Sequence, residues 1–221
     1  MVRNTSFNTS SFWKMPLIAI MRGFPLDTVE PIVEAIGNGG LRTLEITMNT
    51  DGAENQIRRA VEVAEGSGMQ IGAGTVTDES RLENALAAGA SFIVTPNLNP
   101  QVIRLCQELE VPFIPGALTP TEIYVAYEAG ALAAKIFPAE TLGPEFVRSI
   151  KAPLPNLRVA PTGGVTVERM KDYLEAGADA FGLGSPLFPK GAVEDCEWGR
   201  IEQAAYAFHQ AYTILNQSKK P

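Results

Sequence analysis

One unit recurs along this chain from Pro16 onward: an apolar run, a turn, an amphipathic stretch of helical period, and a stop containing glycine. The apolar runs fall at residues 17–21, 43–48, 70–75, 92–95, 113–116, 133–137, 158–162 and 180–184. Short apolar runs bounded by Gly and Pro read as strands buried on both faces of a parallel sheet. Helical patterns separate them at 26–36, 53–64, 79–88, 100–109, 121–128, 144–150, 167–175 and 201–215. Thr77 or Asp78 stands ready to cap the third helix, and Thr119 with Glu122 forms a capping box for the fifth. Helix ends repeat as Gly39-Gly40-Leu41, Ala88-Gly89-Ala90, Ala129-Gly130-Ala131 and Ala176-Gly177-Ala178. A glycine just past a helix adopts the left-handed conformation that turns the chain into the next strand. Eight strand–helix units at an even spacing of about 20–28 residues predict a single (β/α)8 TIM barrel, with a doubly wound sheet as the competitor. The barrel is expected over 15–216. Residues 1–14 are expected as an N-terminal extension or short docking helix, and 217–221 as a C-terminal tail.

In such a barrel the chemistry sits at the C-terminal ends of the strands. Arg22, Glu45, Thr47, Asn49, Thr75, Thr95, Pro96, Gly116, Lys135, Phe137 and Thr162 are expected along that rim, which Gly163, Gly164, Gly184 and Ser185 complete. Of the seven lysines, only Lys135 lies inside an apolar strand, in Ala133-Ala134-Lys135-Ile136-Phe137-Pro138. Alternation puts Ala133, Lys135 and Phe137 on one face. A buried ammonium is costly, and a neutral amine is a nucleophile toward ketones. The alternative is a strand-end lysine reaching solvent or a carboxylate. Glu45 alternates with Leu44 and Ile46 and so faces the same interior from the opposite strand. A buried ion pair adds little net stability, so an inward Glu–Lys pair is better explained by proton and imine chemistry than by folding.

A second constellation joins Pro161-Thr162-Gly163-Gly164-Val165-Thr166 to Gly182-Leu183-Gly184-Ser185. Glycines after the last two strands let backbone amides approach an anion, and this is a usual place for a phosphate in a barrel. Tight-turn geometry alone is the competing account. The net charge of −7 and pI near 4.9 argue against a nucleic-acid or acidic-membrane partner. Cys106 and Cys196 are too few for a disulfide framework or cysteine metal site, and read as ordinary helix residues in a reducing compartment. The single histidine, His209, reads as structural, and one histidine cannot build a multi-histidine zinc site. Residues 1–14 lack the apolar core of a signal peptide, and no stretch reaches membrane-spanning length.

Residues from about Lys14 to Lys190 resemble the class I aldolases acting on 2-keto-3-deoxy-6-phosphogluconate and 4-hydroxy-2-oxoglutarate. The matching segments are Leu44-Glu45-Ile46-Thr47, Gly72-Ala73-Gly74-Thr75-Val76, Thr95-Pro96-Asn97, Lys135-Ile136-Phe137-Pro138-Ala139-Glu140 and Pro161-Thr162-Gly163-Gly164. The resemblance implies a cytoplasmic homotrimer without metal or other cofactor, acting on pyruvate and a phosphorylated keto acid. It implies Lys135 as the Schiff-base lysine and Glu45 as general acid/base. Thr75 and Pro96 would sit at the pyruvate end, Phe137 would form a wall, and Gly163, Gly164 and Ser185 would hold the phosphate.

One segment departs from that pattern. Phosphogluconate-type members commonly carry Thr-Leu-Arg-Thr after the glutamate, with the arginine on the pyruvate carboxylate; here it is Thr47-Met48-Asn49-Thr50. Arg22, in Ile20-Met21-Arg22-Gly23, is positioned to supply the charge. That Arg-Gly, together with Asn49, is similar to the 2-keto-3-deoxy-6-phosphogalactonate aldolases, whereas Thr162 matches the gluconate type. The expected activity is cleavage of 2-keto-3-deoxy-6-phosphogluconate to pyruvate and glyceraldehyde 3-phosphate. The galactonate epimer and 4-hydroxy-2-oxoglutarate are alternative substrates. A sugar-phosphate epimerase or isomerase and a non-catalytic sugar-acid-phosphate binding protein are the alternative functions.

Overall fold

The computed structural model describes residues 7–217. Residues 1–6 of the expected N-terminal extension, and 218–221 of the expected tail, lie outside them. All strand pairings are parallel. One curled sheet carries β1 (Leu17–Met21), β2 (Thr43–Thr47), β3 (Gln70–Gly74), β4 (Ile93–Val94), β5 (Phe113–Ile114) and β9 (Phe181–Leu183), in the order β5-β4-β3-β2-β1-β9. A second holds β6 (Gly116–Ala117), β7 (Ala134–Ile136) and β8 (Val159–Pro161) in sequence order. A parallel bridge between Thr162 and Gly182 joins the β8 end to β9, and only Pro115 separates β5 from β6.

Alternation along the strands creates two apolar layers. Leu17, Ala19 and Met21, Leu44 and Ile46, Ala134 and Ile136, and Phe181 and Leu183 point outward into the main core, against the helices. Ile18, Phe92, Val94, Ile114, Ala133, Ala160 and Ala180 belong to a separate inner cluster. Glycines on the inner face make room for larger neighbours. A Cβ on Gly72 would come within 2.4 Å of the Phe92 ring, and one on Gly182 within 2.3 Å of Thr162 Oγ1.

Helices α2 (Val29–Asn38), α3 (Ala53–Val63), α4 (Glu79–Ala87), α5 (Pro100–Glu108), α6 (Pro120–Glu128), α7 (Ala139–Lys151), α8 (Val167–Glu175) and α9 (Trp198–Gln217) fill the intervals. Asp78 caps α4 by accepting from the Arg81 amide, and Thr119 with Glu122 closes a full capping box on α6. Gly40, Gly89, Gly130 and Gly177 all have positive φ. Four details differ from the sequence expectation. The helix expected from Leu26 begins as a single 3-10 turn and becomes α2 only at Val29, which leaves Pro31, with no N–H to donate, in the first helical turn. The fifth strand is interrupted at Pro115, whose carbonyl accepts from Lys135 N at 2.8 Å. A helical turn precedes Pro144, starting at Ala139, and Gly143 (φ 70°, ψ 175°) breaks it from the remainder of α7. Cys196 lies in an exposed turn with φ 55°, not in a helix.

A short helix, α1 (Thr9–Phe12), capped by the Asn8 side chain, precedes β1. Its Phe12 is 1% exposed and joins the inner cluster at the N-terminal ends of the strands, with Phe7 and Trp13 packed beside it. Arg158 lies 4.5 Å over the Trp13 ring. Truncating a buried phenylalanine removes its transfer energy and leaves a cavity. Phe12→Ala should cost about 3 kcal/mol of unfolding free energy in a denaturant titration. A loss under about 1 kcal/mol would mean that α1 contributes little to closing this end.

Candidate active site

Lys135 stands at the centre of β7, in register with Gly116 of β6 and Ala160 of β8. Glu45 occupies the matching inward position of β2, flanked by Ile20 of β1 and Gly72 of β3. The two strands lie on different sheets, yet Lys135 Nζ is 3.8 Å from Glu45 Oε1. Their side chains are 5% and 1% exposed. At 3.8 Å this is an ion-pair contact and too long for a hydrogen bond. Glu45 Oε1 has no hydrogen-bond partner within the described protein. Burial pushes the Glu45 carboxyl up from the usual carboxylate value, while the charges of Lys135 and Arg22 pull it down without cancelling that rise. A buried glutamate of this kind takes and returns protons nearer neutral pH than an exposed one does. Gly74 gives it space: a Cβ there would lie 2.5 Å from Glu45 Oε1.

These groups meet a cavity of about 370 Å3 lined by Arg22, Lys135, Phe137, Thr162, Gly163, Gly184 and Ser185, with Ile20, Phe24 and Phe188. Seven of the residues expected from sequence therefore share one pocket, and Glu45 touches it through Lys135. The Phe137 ring is 36% exposed, and its centroid lies 5.5 Å from Lys135 Nζ. Thr162 is buried, and its hydroxyl donates to Ala160 O at 3.2 Å. Arg22 is exposed at the rim, on a segment fixed from below. Thr50 Oγ1 accepts from Gly23 N at 2.9 Å, and buried Gln56 donates to Phe24 O at 2.8 Å.

Seven expected residues stand apart from the cavity lining: Thr47, Asn49, Thr75, Thr95, Pro96, Gly116 and Gly164. Asn49 is exposed on the turn after β2. Gly164 lies behind Gly163, where a Cβ would come within 2.5 Å of Glu140. Pro96 packs its backbone against Gly116, whose amide donates to Thr95 Oγ1 at 3.3 Å. Thr75 is half-buried just past β3 with φ 55°. A β-branched residue in the left-handed region is strained, and such strain clusters at functional sites. Sequence reasoning does not single out Ile20, Phe24 or Phe188. Their signal is position alone, since Phe24 and Phe188 lie on the loops after the first and last strands. The Phe24 and Phe188 rings meet at 4.9 Å between centroids, tilted by 50°. His209 is remote from the pocket, with its ring against Gly40. Among the described residues no cluster of three His, Cys, Asp or Glu is arranged to hold a metal ion.

Residues 9–204 match the sequence model of the KDPG and KHG aldolase family. The chain is 38% identical over 200 residues to the 2-dehydro-3-deoxy-6-phosphogalactonate aldolase of Escherichia coli K12, covering 90% of this chain and 95% of that one. It is 37% identical over 190 residues to the 2-dehydro-3-deoxy-phosphogluconate aldolase of Pseudomonas aeruginosa, covering 86% and 84%. Its fold superposes with a TM-score of 0.83 on the KDPG aldolase of Legionella pneumophila, at 27% identity over 91% of this chain and 97% of that one. That enzyme was crystallised with pyruvate captured as a covalent carbinolamine. With a buried lysine and glutamate facing one another at the pocket's base, and with relatives matched over nearly their whole length, the chain belongs to the KDPG and KHG aldolase family and is a class I aldolase.

Proposed function

We propose that the enzyme cleaves 2-keto-3-deoxy-6-phosphogluconate to pyruvate and glyceraldehyde 3-phosphate through an imine on Lys135. The observation that carries this reading is the buried Lys135–Glu45 contact, with a carboxylate oxygen that accepts no hydrogen bond among the described residues. Lys135 passes a proton to Glu45 and attacks the C2 ketone as the neutral amine; Glu45 returns that proton to the carbinolamine hydroxyl, water leaves, and a protonated imine remains. Glu45, directly or through water, takes the C4 hydroxyl proton. The C3–C4 electron pair then flows into the imine, releasing the aldehyde and leaving an enamine. Glu45 returns the proton to C3, and hydrolysis of the imine frees pyruvate and Lys135. Gly163, Gly164, Gly184 and Ser185 hold the phosphate, Thr75 and Pro96 complete the pyruvate end, Phe137 walls the reacting carbons, and Thr162 faces the C4 region.

The C4 epimer, 2-keto-3-deoxy-6-phosphogalactonate, is the second reading. Arg22 at the cavity favours it, while buried Thr162 favours the gluconate acid. The two acids differ at one carbon, and their kcat/KM ratio decides between them. For the scaffold we propose a closed (β/α)8 barrel, supported by the Thr162–Gly182 bridge and by β5 and β6 as halves of one strand. We further propose a cytoplasmic homotrimer. Tyr124, Val125 and Tyr127 of α6, with Leu118 just before it, give an exposed apolar face suited to a partner subunit, and both cysteines are free thiols.

Borohydride reduction in the presence of pyruvate should add one pyruvate-derived mass, located on Lys135 and absent from Lys135→Ala. A label on Lys151 or Lys171, or none at all, would sink the aldolase mechanism. Glu45→Gln should keep the fold and lower kcat by about 10²–10⁴-fold. Because Glu45 must be ionised to accept the hydroxyl proton and its carboxyl is shifted upward, wild-type kcat/KM should climb with pH through a limb above the ordinary glutamate range. That limb should vanish in Glu45→Gln; if it persists, another group is the base. Arg22→Ala should weaken pyruvate and the phosphorylated acid alike by about 2 kcal/mol, the low end for losing a charged partner, since Arg22 keeps contact with solvent. Normal pyruvate binding with failed binding of the phosphorylated acid would move Arg22 to the phosphate end.

A further inference from the structure

Three successive carbonyls at the end of β8 are each held by a donor from a neighbouring helix. Ala139 N donates to Thr162 O at 2.8 Å, Glu140 N to Gly163 O at 3.1 Å, and Arg169 Nη1 to Gly164 O at 3.3 Å. Across a trans peptide the N–H points opposite to the C=O, so fixing a carbonyl also aims the amide that follows it. The first two donors open α7, on the β7 side of the loop. The Gly164 amide is thereby turned away from the start of α7, and Gly184 and Ser185 after β9 border the same cavity as Gly163. Neither the Gly164 nor the Val165 amide has a protein partner among the described residues.

The first two ties use backbone donors and do not depend on side-chain identity. The third rests on one side chain, at the point where the backbone is least constrained. Gly163 (φ 93°) and Gly164 (φ 67°) are both left-handed, so on its glycine side the peptide between Gly164 and Val165 meets little steric resistance to rotation. Arg169 is itself well anchored. Its guanidinium lies 5.7 Å from the Tyr173 ring centroid, and buried Tyr173 donates its hydroxyl to Ala139 O at 2.8 Å. The chain Thr166–Arg169–Tyr173 thus links α8 to the start of α7 around the back of the loop. Arg169 does not border the cavity.

We propose that Arg169 is a positioning residue, holding the Gly164–Val165 peptide so that its amide faces the phosphate monoester of the substrate. The inference rests on the phosphate reading of this loop given under the proposed function. It is tested by measuring kcat and KM for the phosphorylated keto acid and for the same acid without its phosphate, in wild type, Arg169→Met and Arg169→Lys. Methionine keeps an unbranched stem over Tyr173 but donates nothing; lysine keeps a charged donor. Arg169→Met should raise KM for the phosphorylated acid about tenfold, the scale of one hydrogen bond from a charged donor. Its kcat, and both constants for the unphosphorylated acid, should stay at the wild-type level, and Arg169→Lys should recover most of the loss. Equal damage with both acids, an unchanged KM, or a lysine variant no better than methionine would overturn the assignment. Wild type that handles the two acids alike would instead overturn the phosphate reading, before any variant is compared.

Discussion

The site depends on two ionisable side chains being held in a space too small to hydrate them. Lys135 and Glu45 approach to 3.8 Å with almost no exposure. Removing both from water costs more than their attraction returns unless other groups contribute, so folding alone does not explain the pair. The surrounding chain is arranged to tolerate it. Gly74 leaves the volume the carboxylate fills, while Ala133 and Ala160 keep the neighbourhood of the lysine small and apolar. The set point of a carboxyl raised by burial beside an amine is fixed by the walls as much as by its partner.

The rim is made of loops, and loops need external restraint to hold a geometry. Three of the rim loops are fastened by a neighbour. Thr50 and Gln56, from the β2 loop and α3, fix the backbone from Gly23 to Phe24. Thr95 spans the β4 and β6 segments through its hydroxyl, and the first amides of α7 grip the turn after β8. At these points of the rim, one strand's loop is braced on another's.

Much of this was legible in the sequence, because its causes are local. Strand and helix positions follow from apolar periodicity and glycine stops, and the inward facing of Glu45 and Lys135 follows from alternation by twos. The glycine loops at 163–164 and 184 announce themselves by composition. What was not legible depends on approach in three dimensions. Nothing in Phe24 or Phe188 signals that their rings meet, and the tie from Arg169 to Gly164 needs the register of α8 against its own loop. Asn49 shows the converse: proximity to Glu45 in sequence does not bring it to the cavity, because the turn after β2 carries it outward. The break at Pro115 was visible as a residue, but its effect on pairing was not.

The packing of Phe12 beneath the inner cluster turns the interior into a vessel with one door. The lower end is filled by aromatic and aliphatic side chains, so traffic to Lys135 passes the rim in both directions. A molecule bonded to that lysine sits at the back, with any detached fragment between it and the exit. On the proposed imine at Lys135, departure would be a queue, the outer piece clearing the mouth before the inner one. That one-sided access rests on a helix of four residues, whose Phe12 fills the end opposite the rim.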